Sequence, residues 1–372
     1  MTRPEPTRRG RIRIEGFDER RTSDQLETDE RTATGSSDSV ERLRSAGWNS
    51  TETDRNPRVD SARSRLLNFR RGRRLEDVWR RFRSSRTALL GFVIVAGLSL
   101  VTIFARPIEL SAVGYTLTVQ PFSLAPYDPS AQYVGPSNAG PSLAHPFGTD
   151  WAGRDVLSRV LAGGRFSLSI GALAVALALC VGVPLGAIAG YFGGWVDETI
   201  MRLVDTLYAF PFLVLAIAVV AIFGQGYWNV VAALAVTGWL SYARLLRGEV
   251  LSIVDREYVD ASKALGTPHR TILVRHVIPN AIAPVIVQAT LNVGTVVLAA
   301  AALGFLGLGL EAGTAEWGTM LAGGRSSLLQ GHWHITVFPG LAIFLFVLGT
   351  NLVGDGLSDA LDPQSEFERR IR

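Results

Sequence analysis

The sequence predicts an all-α polytopic membrane protein with six transmembrane helices. Three observations carry this expectation. The chain is 48% hydrophobic over 372 residues, with a positive mean hydropathy, which is more apolar residue than one soluble core of that size needs. The apolar residues are gathered in blocks, Ala88–Ala105, Leu168–Tyr191, Leu207–Phe223, Trp228–Leu246, Ala281–Leu310 and Ile335–Val353, each near or above the roughly 20 residues that cross a bilayer. The segments between them leave no soluble domain in which such runs would be held as buried helices.

Taken in chain order, residues 1–62 mix Arg, Asp, Glu, Ser, Thr and Gly without apolar periodicity, and a disordered cytoplasmic tail is expected. Residues 63–86 are basic, with arginines from Arg63 to Arg86 interleaved with Leu66, Leu67, Phe69, Leu75, Val78, Trp79 and Phe82. This composition reads as an amphipathic elbow on anionic lipid headgroups and not as a nucleic-acid site, because it runs directly into the first span at 87–105. No secretory signal peptide is visible ahead of it. Residues 106–167 form a long outer loop rich in Pro and Gly, and 168–363 hold a five-helix core with an inner loop at 247–280. A short cytoplasmic tail, 364–372, ends the chain. The Trp228 run is the shallowest, since Asn229 and Trp239 dilute it and Arg244 ends it.

Charge fixes the expected orientation. The 247–280 loop carries Arg247, Arg256, Lys263, Arg270 and Arg275, with Arg244 at its edge, whereas the shorter outer loops hold only Arg325. Both termini are therefore expected in the cytoplasm. Arg154, Arg159 and Arg165 run against the rule, but long loops obey it poorly.

The spans also exclude functions. None has an ionisable residue in its central portion, which disfavours an ion-coupled carrier. Lys263, the only lysine, lacks the Gly-rich approach of a phosphate-binding loop, so the chain does not use ATP itself. No constellation suited to intramembrane hydrolysis is visible. His332 and His334 are too few for a metal site and fit an interfacial polar and aromatic belt. Cys180, the only cysteine, reads as a small apolar filler. Gly182, Gly186 and Gly190 present one smooth face, for close packing or for a helix that moves along a pathway, with Pro184 expected to kink it.

The inner loop carries the functional argument. Asp255 is placed to cap a short helix, and Gly266 to close it in the left-handed conformation. Thr267-Pro268 then reads as the start of a second helix that Pro279 stops. On the first helix Tyr258, Ala261, Ala264 and Leu265 form a small apolar face beside Glu257, Asp260 and Lys263, suited to a groove on another protein.

Glu257, Ala261, Gly266 and Ile278-Pro279 resemble the EAA loop of permease subunits of binding-protein-dependent ATP-binding-cassette importers. Ser262 and His276 depart from the commonest residues of that loop. Other stretches resemble the second permease of dipeptide, oligopeptide and nickel importers: His145-Pro146-Phe147-Gly148-Thr149-Asp150, Gly153-Arg154-Asp155, Ala209-Phe210-Pro211, Glu316-Trp317-Gly318 and Gly354-Asp355-Gly356. The resemblance implies a type I importer permease fold in the cell membrane. It implies a heterodimer with a homologous permease, two cytoplasmic ATPases that hold the ATP and magnesium, and an extracytoplasmic solute-binding protein. This chain would carry no cofactor of its own. Glu257, Tyr258, Asp260, Ala261, Ala264, Leu265, Gly266 and Pro279 would couple to the ATPase, and Glu316, Trp317 and Gly318 are candidates for contact with the binding protein. Peptide is the leading substrate, with nickel chelates or sugars as alternatives, and a non-motor scaffold or channel as the competing class.

Overall fold

The computed structural model describes residues 76–112, 115–120 and 122–361. The expected tails at 1–62 and 364–372, and the elbow's residues 63–75, lie outside them. The rest of the elbow is helical over 76–84, with the Trp79 and Phe82 rings stacked 5.9 Å apart. Ser85 then caps α1, Arg86–Ile103, by accepting from Ala88 N. The remaining helices are α2 (Val156–Phe192), α3 (Gly194–Tyr208), α4 (Phe212–Phe223), α5 (Tyr227–Val254), α6 (Glu257–Ala264), α7 (His269–Ile272), α8 (Ile278–Ala281), α9 (Ala283–Phe305), α10 (Trp317–Leu329) and α11 (His334–Leu361).

Five of these, α1, α2, α5, α9 and α11, are individually long and apolar enough to cross a membrane, and a sixth span exists if α3 and α4 are counted as one. The apolar run Leu207–Phe223, expected as one of the six spans, is not one continuous helix. The chain bends by 87° between α3 and α4. Pro211 has no N–H to continue a helix and disfavours helical backbone at Phe210, which forces the break. Charge partitions the two halves: α3 carries Asp197, Glu198, Arg202 and Asp205, while α4 is wholly apolar. At twelve residues α4 rises only about 18 Å, short of a hydrocarbon core of about 30 Å.

The outer loop also holds more order than its composition predicts. Ile108–Ala112 and Tyr115–Gln120 pair as an antiparallel hairpin, β1–β2, so the all-α expectation holds for the bundle but not for this excursion. Helix α2 begins at Val156, well before Leu168, because the Asp155 side chain accepts from Ser158 N at 2.8 Å and Oγ at 2.7 Å and caps the extra turns. Its 37 residues span about 55 Å, so one end must project from the bilayer. Pro184 lies inside the unbroken helix.

Helices α2 and α5 run parallel in the longest seam of the bundle. A Cβ on Gly182 would lie 2.5 Å from Trp239 O, one on Gly186 would collide with Ala243 O, and one on Gly190 would lie 2.8 Å from Arg247 O. Three glycines four residues apart therefore face three carbonyls four residues apart, and the seam is backbone against backbone. Cys180 is exposed instead of filling a core. Helix α5, predicted as the shallowest span, is the most enclosed: Trp239, Leu240, Tyr242, Ala243 and Leu246 are all buried. One apolar cluster joins α2, α4, α5 and α9, and a second joins α2, α9, α10 and α11.

Because the backbone already fills the seam, Gly186→Val should cost about 1–3 kcal/mol, the usual range for overpacking. Gly248→Val meets no atom within 4 Å and serves as its control. Thermal unfolding in detergent should show a lowered Tm for the first variant only; equal Tm values would contradict the tight seam.

Candidate functional site

The segment from Asp255 to Ile282 folds as a compact layer on one end of the bundle. Val259 from α6, Ile272 from α7 and Val277 from the following turn are each fully buried and continuous with the main apolar cluster. The opposite side of α6 is open: Glu257, Asp260, Ala261 and Ala264 are exposed, Tyr258 is 40% exposed and Leu265 84%. The predicted apolar face thus points away from the chain, with Val259 as the residue that holds it there. Covering Leu265 in a partner would be worth roughly 2 kcal/mol by apolar transfer.

Local chemistry explains this shape, with three corrections. Asp255 ends α5 as its C-cap and does not cap α6, whose N-cap is Arg256 without a side-chain hydrogen bond. The acidic Glu257 and Asp260 instead favour the positive end of the α6 dipole. Gly266 does close the helix, at φ +70°: Gly266 N donates to Lys263 O at 2.9 Å and Thr267 N to Ser262 O at 3.1 Å, the paired bonds of a Schellman cap. Pro268, one residue later than expected, is the N-cap of α7.

Pro279 does not stop the second helix. The backbone widens into a π turn over Leu273–Val277, with Ile278 N donating to Leu273 O, and Pro279 enters α8 near its first turn. The wider turn takes the place of the i→i−4 bond that Pro279 cannot make. Asn280 Nδ2 caps the adjoining His276 O at 2.6 Å. Pro279 therefore shapes the path from the layer into α9 and is not part of the α6 face. The layer is also tied to α2, whose Tyr191 hydroxyl lies 2.8 Å from His269 Nδ1. Arg247 grips Asp197 through two contacts of 2.5 Å, and Arg244 pairs with Asp205, fixing α3 beside α5.

At the other end of the bundle the motif residues around Asp150 form a buried ionic network. Asp150 accepts from Arg154 Nε at 2.7 Å and lies 3.6 Å from Arg159 Nε. The two guanidinium groups donate onward to the carbonyls of Gly313, Pro129 and Thr314. Asp155 binds His145 Nδ1 at 2.9 Å, and His334 Nε2 lies 3.1 Å from Thr149 O. His334 is thus a buried clasp on the 127–155 loop and not part of an interfacial belt.

Glu316, Trp317 and Gly318 need the plainest correction. Glu316 is 1% exposed and Trp317 is fully enclosed, so neither offers a surface to a binding protein. Glu316 caps α10 by accepting from Gly318 N and Thr319 N, each at 2.9 Å, and takes a third bond from Ser167 Oγ at 2.9 Å. Trp317 Nε1 donates to Val160 O at 2.9 Å, and a Cβ on Gly318 would lie 2.5 Å from Ala301 O. The tripeptide locks α10 to α2 and α9.

An uncharged cavity lies within the bundle between these two ends. It is a partly open pocket of about 250 Å³ among α2, α5 and α9, bordered by the exposed Tyr208, Phe210 and Phe212 at the α3–α4 bend. The sequence gives few cues to it, because Tyr242, Gln288 and Asn292 are scattered over two spans.

An exposed helical face, a bundle with a broken span and a locked opposite end together describe a multi-span helical membrane protein with one surface left open. Residues 182–366 match the family described as binding-protein-dependent transport system inner membrane component, and 74–141 match the N-terminal TM domain of oligopeptide transport permease C. The chain is 42% identical over 290 residues to the dipeptide transport system permease protein DppC of Alkalihalophilus pseudofirmus, covering 77% of this chain and 89% of that one. It is 43% identical over 289 residues to the glutathione transport system permease protein GsiD of Escherichia coli, covering 77% and 90%. A chain from inward-facing structures of the MetNI methionine ABC transporter aligns at 17% identity and a TM-score of 0.46, over 55% of this chain and 97% of its own. The chain belongs to the permease family of binding-protein-dependent ABC importers.

The Glu316 network yields a direct test. Glu316→Ala leaves Gly318 N and Thr319 N without their acceptor and should cost about 1–3 kcal/mol. A lowered Tm, partly restored in Glu316→Gln, is expected; an unchanged Tm would contradict the locking role.

Proposed function

We propose that this chain is one of two homologous permeases in an ATP-driven importer of peptides, with dipeptides and oligopeptides as the main class. The relatives named for dipeptide and glutathione transport support the substrate class. Two ABC ATPases, holding ATP and magnesium, dock on the α6 end, and a solute-binding protein delivers peptide at the other. The arginines of the inner loop support placing the α6 end and both termini in the cytoplasm of a multi-pass inner-membrane protein, with lipid around the bundle.

One observation carries the reading: Tyr258, Ala261, Ala264 and Leu265 stand outward on a helix whose opposite residue, Val259, is wholly buried. A small convex face fixed from behind moves only with the layer to which it belongs. Closure of the ATPases around ATP draws on α6, and the layer passes the displacement to α5, which is continuous with it, to α2 through Tyr191, and to α9 through the π turn. The two arrangements of the bundle then expose its interior to opposite sides, and the contacts at α6 differ between them.

Gly266 holds the rear of this face in a conformation that costs a β-branched residue heavily. In an assembled, reconstituted importer, Gly266→Val should keep ATP hydrolysis while reducing peptide uptake at least about tenfold, equivalent to about 1.4 kcal/mol of lost coupling. Uptake at the normal rate would sink the coupling assignment, and a gently solubilised complex without an ATPase would favour a scaffold instead.

A further inference from the structure

The 250 Å³ cavity is lined by uncharged residues, and its hydrogen-bonding groups fall into two sets. Thr237 spends its hydroxyl on Ala233 O and Leu234 O, and Ser241 spends its own on Gly238 O, each within its own helix. The second set bridges two helices. Asn292 Nδ2 on α9 donates to the Tyr242 hydroxyl on α5 at 3.1 Å, and Gln288 Nε2 donates to Asn292 Oδ1 at 3.0 Å.

This ladder leaves capacity over. The Tyr242 hydroxyl accepts one bond, and no bond donated by it is found among the described residues, although the residue is 1% exposed. The Gln288 carbonyl, part-buried at the cavity wall, likewise has no partner there. Polar groups that serve only to hold helices together close their bonds on one another, because an unmet donor inside a bundle is costly. Here one buried donor and one part-buried acceptor stay open beside a space several waters in size.

The chemistry of the wall limits what the space would take. Without an ionised group it offers nothing to a peptide's charged termini and can read only the neutral part of its ligand. One donor beside one acceptor matches a neutral amide, which presents a C=O and an N–H side by side. The amide is also the part of a peptide that does not vary with its side chains. Resting on the peptide-importer reading, we propose that Tyr242 and Gln288, held together by Asn292, form a transient amide-recognition site on the translocation path, where Tyr242 donates to a peptide carbonyl and Gln288 accepts from its N–H. A site of so few neutral bonds holds its cargo weakly enough to release it.

The test uses the complete importer in proteoliposomes, with its partner permease, ATPases and binding protein, and compares uptake of dialanine with that of its ester analogue, which lacks the amide N–H. Each variant is read as the ratio of the two rates at saturating, loaded binding protein, so the binding protein's own preference is common to all. The wild type should favour the amide, and Gln288→Leu, which removes the acceptor for the N–H that the ester lacks, should lower that ratio at least about fivefold, whereas Tyr242→Phe, which removes a donor to the carbonyl that both compounds keep, should slow uptake of both. Thr237→Val, which removes a hydroxyl already spent on its own helix, should leave the ratio at the wild-type value. An unchanged ratio in Gln288→Leu, or unslowed uptake in Tyr242→Phe, overturns the site, as does an equal fall of the ratio in Thr237→Val, which would mark an effect of cavity shape. If Gln288→Leu does not assemble, Gln288→Met, which keeps the length of the side chain without its carbonyl, takes its place. Wild-type complexes that transport neither compound overturn the peptide reading itself, an outcome distinct from loss of the ladder.

Discussion

Helices α2 and α5 lie together only because Gly182, Gly186 and Gly190 leave room for the carbonyls of Trp239, Ala243 and Arg247. Lipid tails are as apolar as the helices, so burial alone would not hold this pair; close backbone contact does. Much of the molecule hangs on that seam. Helix α2 carries the Asp155 cap at one end and Tyr191 at the other, and α5 carries Tyr242 before running into the α6 layer. A change in separation at the glycines would therefore be felt at both ends of the bundle and at the cavity between them.

The ends are built on opposite principles. Around Asp150 and Glu316, charged groups are buried and nearly every one is answered by a backbone or side-chain partner, which fixes the 127–155 loop and α10 to the bundle. The Asp150–Arg154 pair contributes little net stability over an apolar alternative, but removing one of its two members costs about 3–5 kcal/mol. Around α6 the large apolar residues Tyr258 and Leu265 are left in the open. One end is closed upon itself, and the other is left incomplete.

What the sequence disclosed follows from the range of the forces involved. The short helix Glu257–Ala264 and its closure at Gly266 were legible because capping is settled within a few residues. The spans were legible because hydrocarbon imposes their length. The Asp255 and Thr267 assignments fell one residue away from the caps, since neighbouring polar residues compete for such positions. The bend at Pro211 was visible as a proline, but its angle depends on Arg244 and Arg247, which reach α3 from another helix. Glu316 misled because a carboxylate in a Gly-rich loop looks solvent-facing. Its enclosure depends on Ser167, 149 positions earlier, and only the Glu-Trp-Gly sequence ahead of a helical run hinted at a cap.

The π turn at Leu273–Val277 sets the azimuth of everything after it. Each residue of an α-helix advances the side-chain direction by about 100°, so a turn holding one residue more than its neighbours rephases the whole of α9. On α9, beyond that turn, Asn292 meets Tyr242 and Gln288 meets Asn292. The same count that accommodates Pro279 thus acts as a vernier, and homologous chains that differ by one residue here would present a different stripe of α9 to the interior while keeping the same bundle.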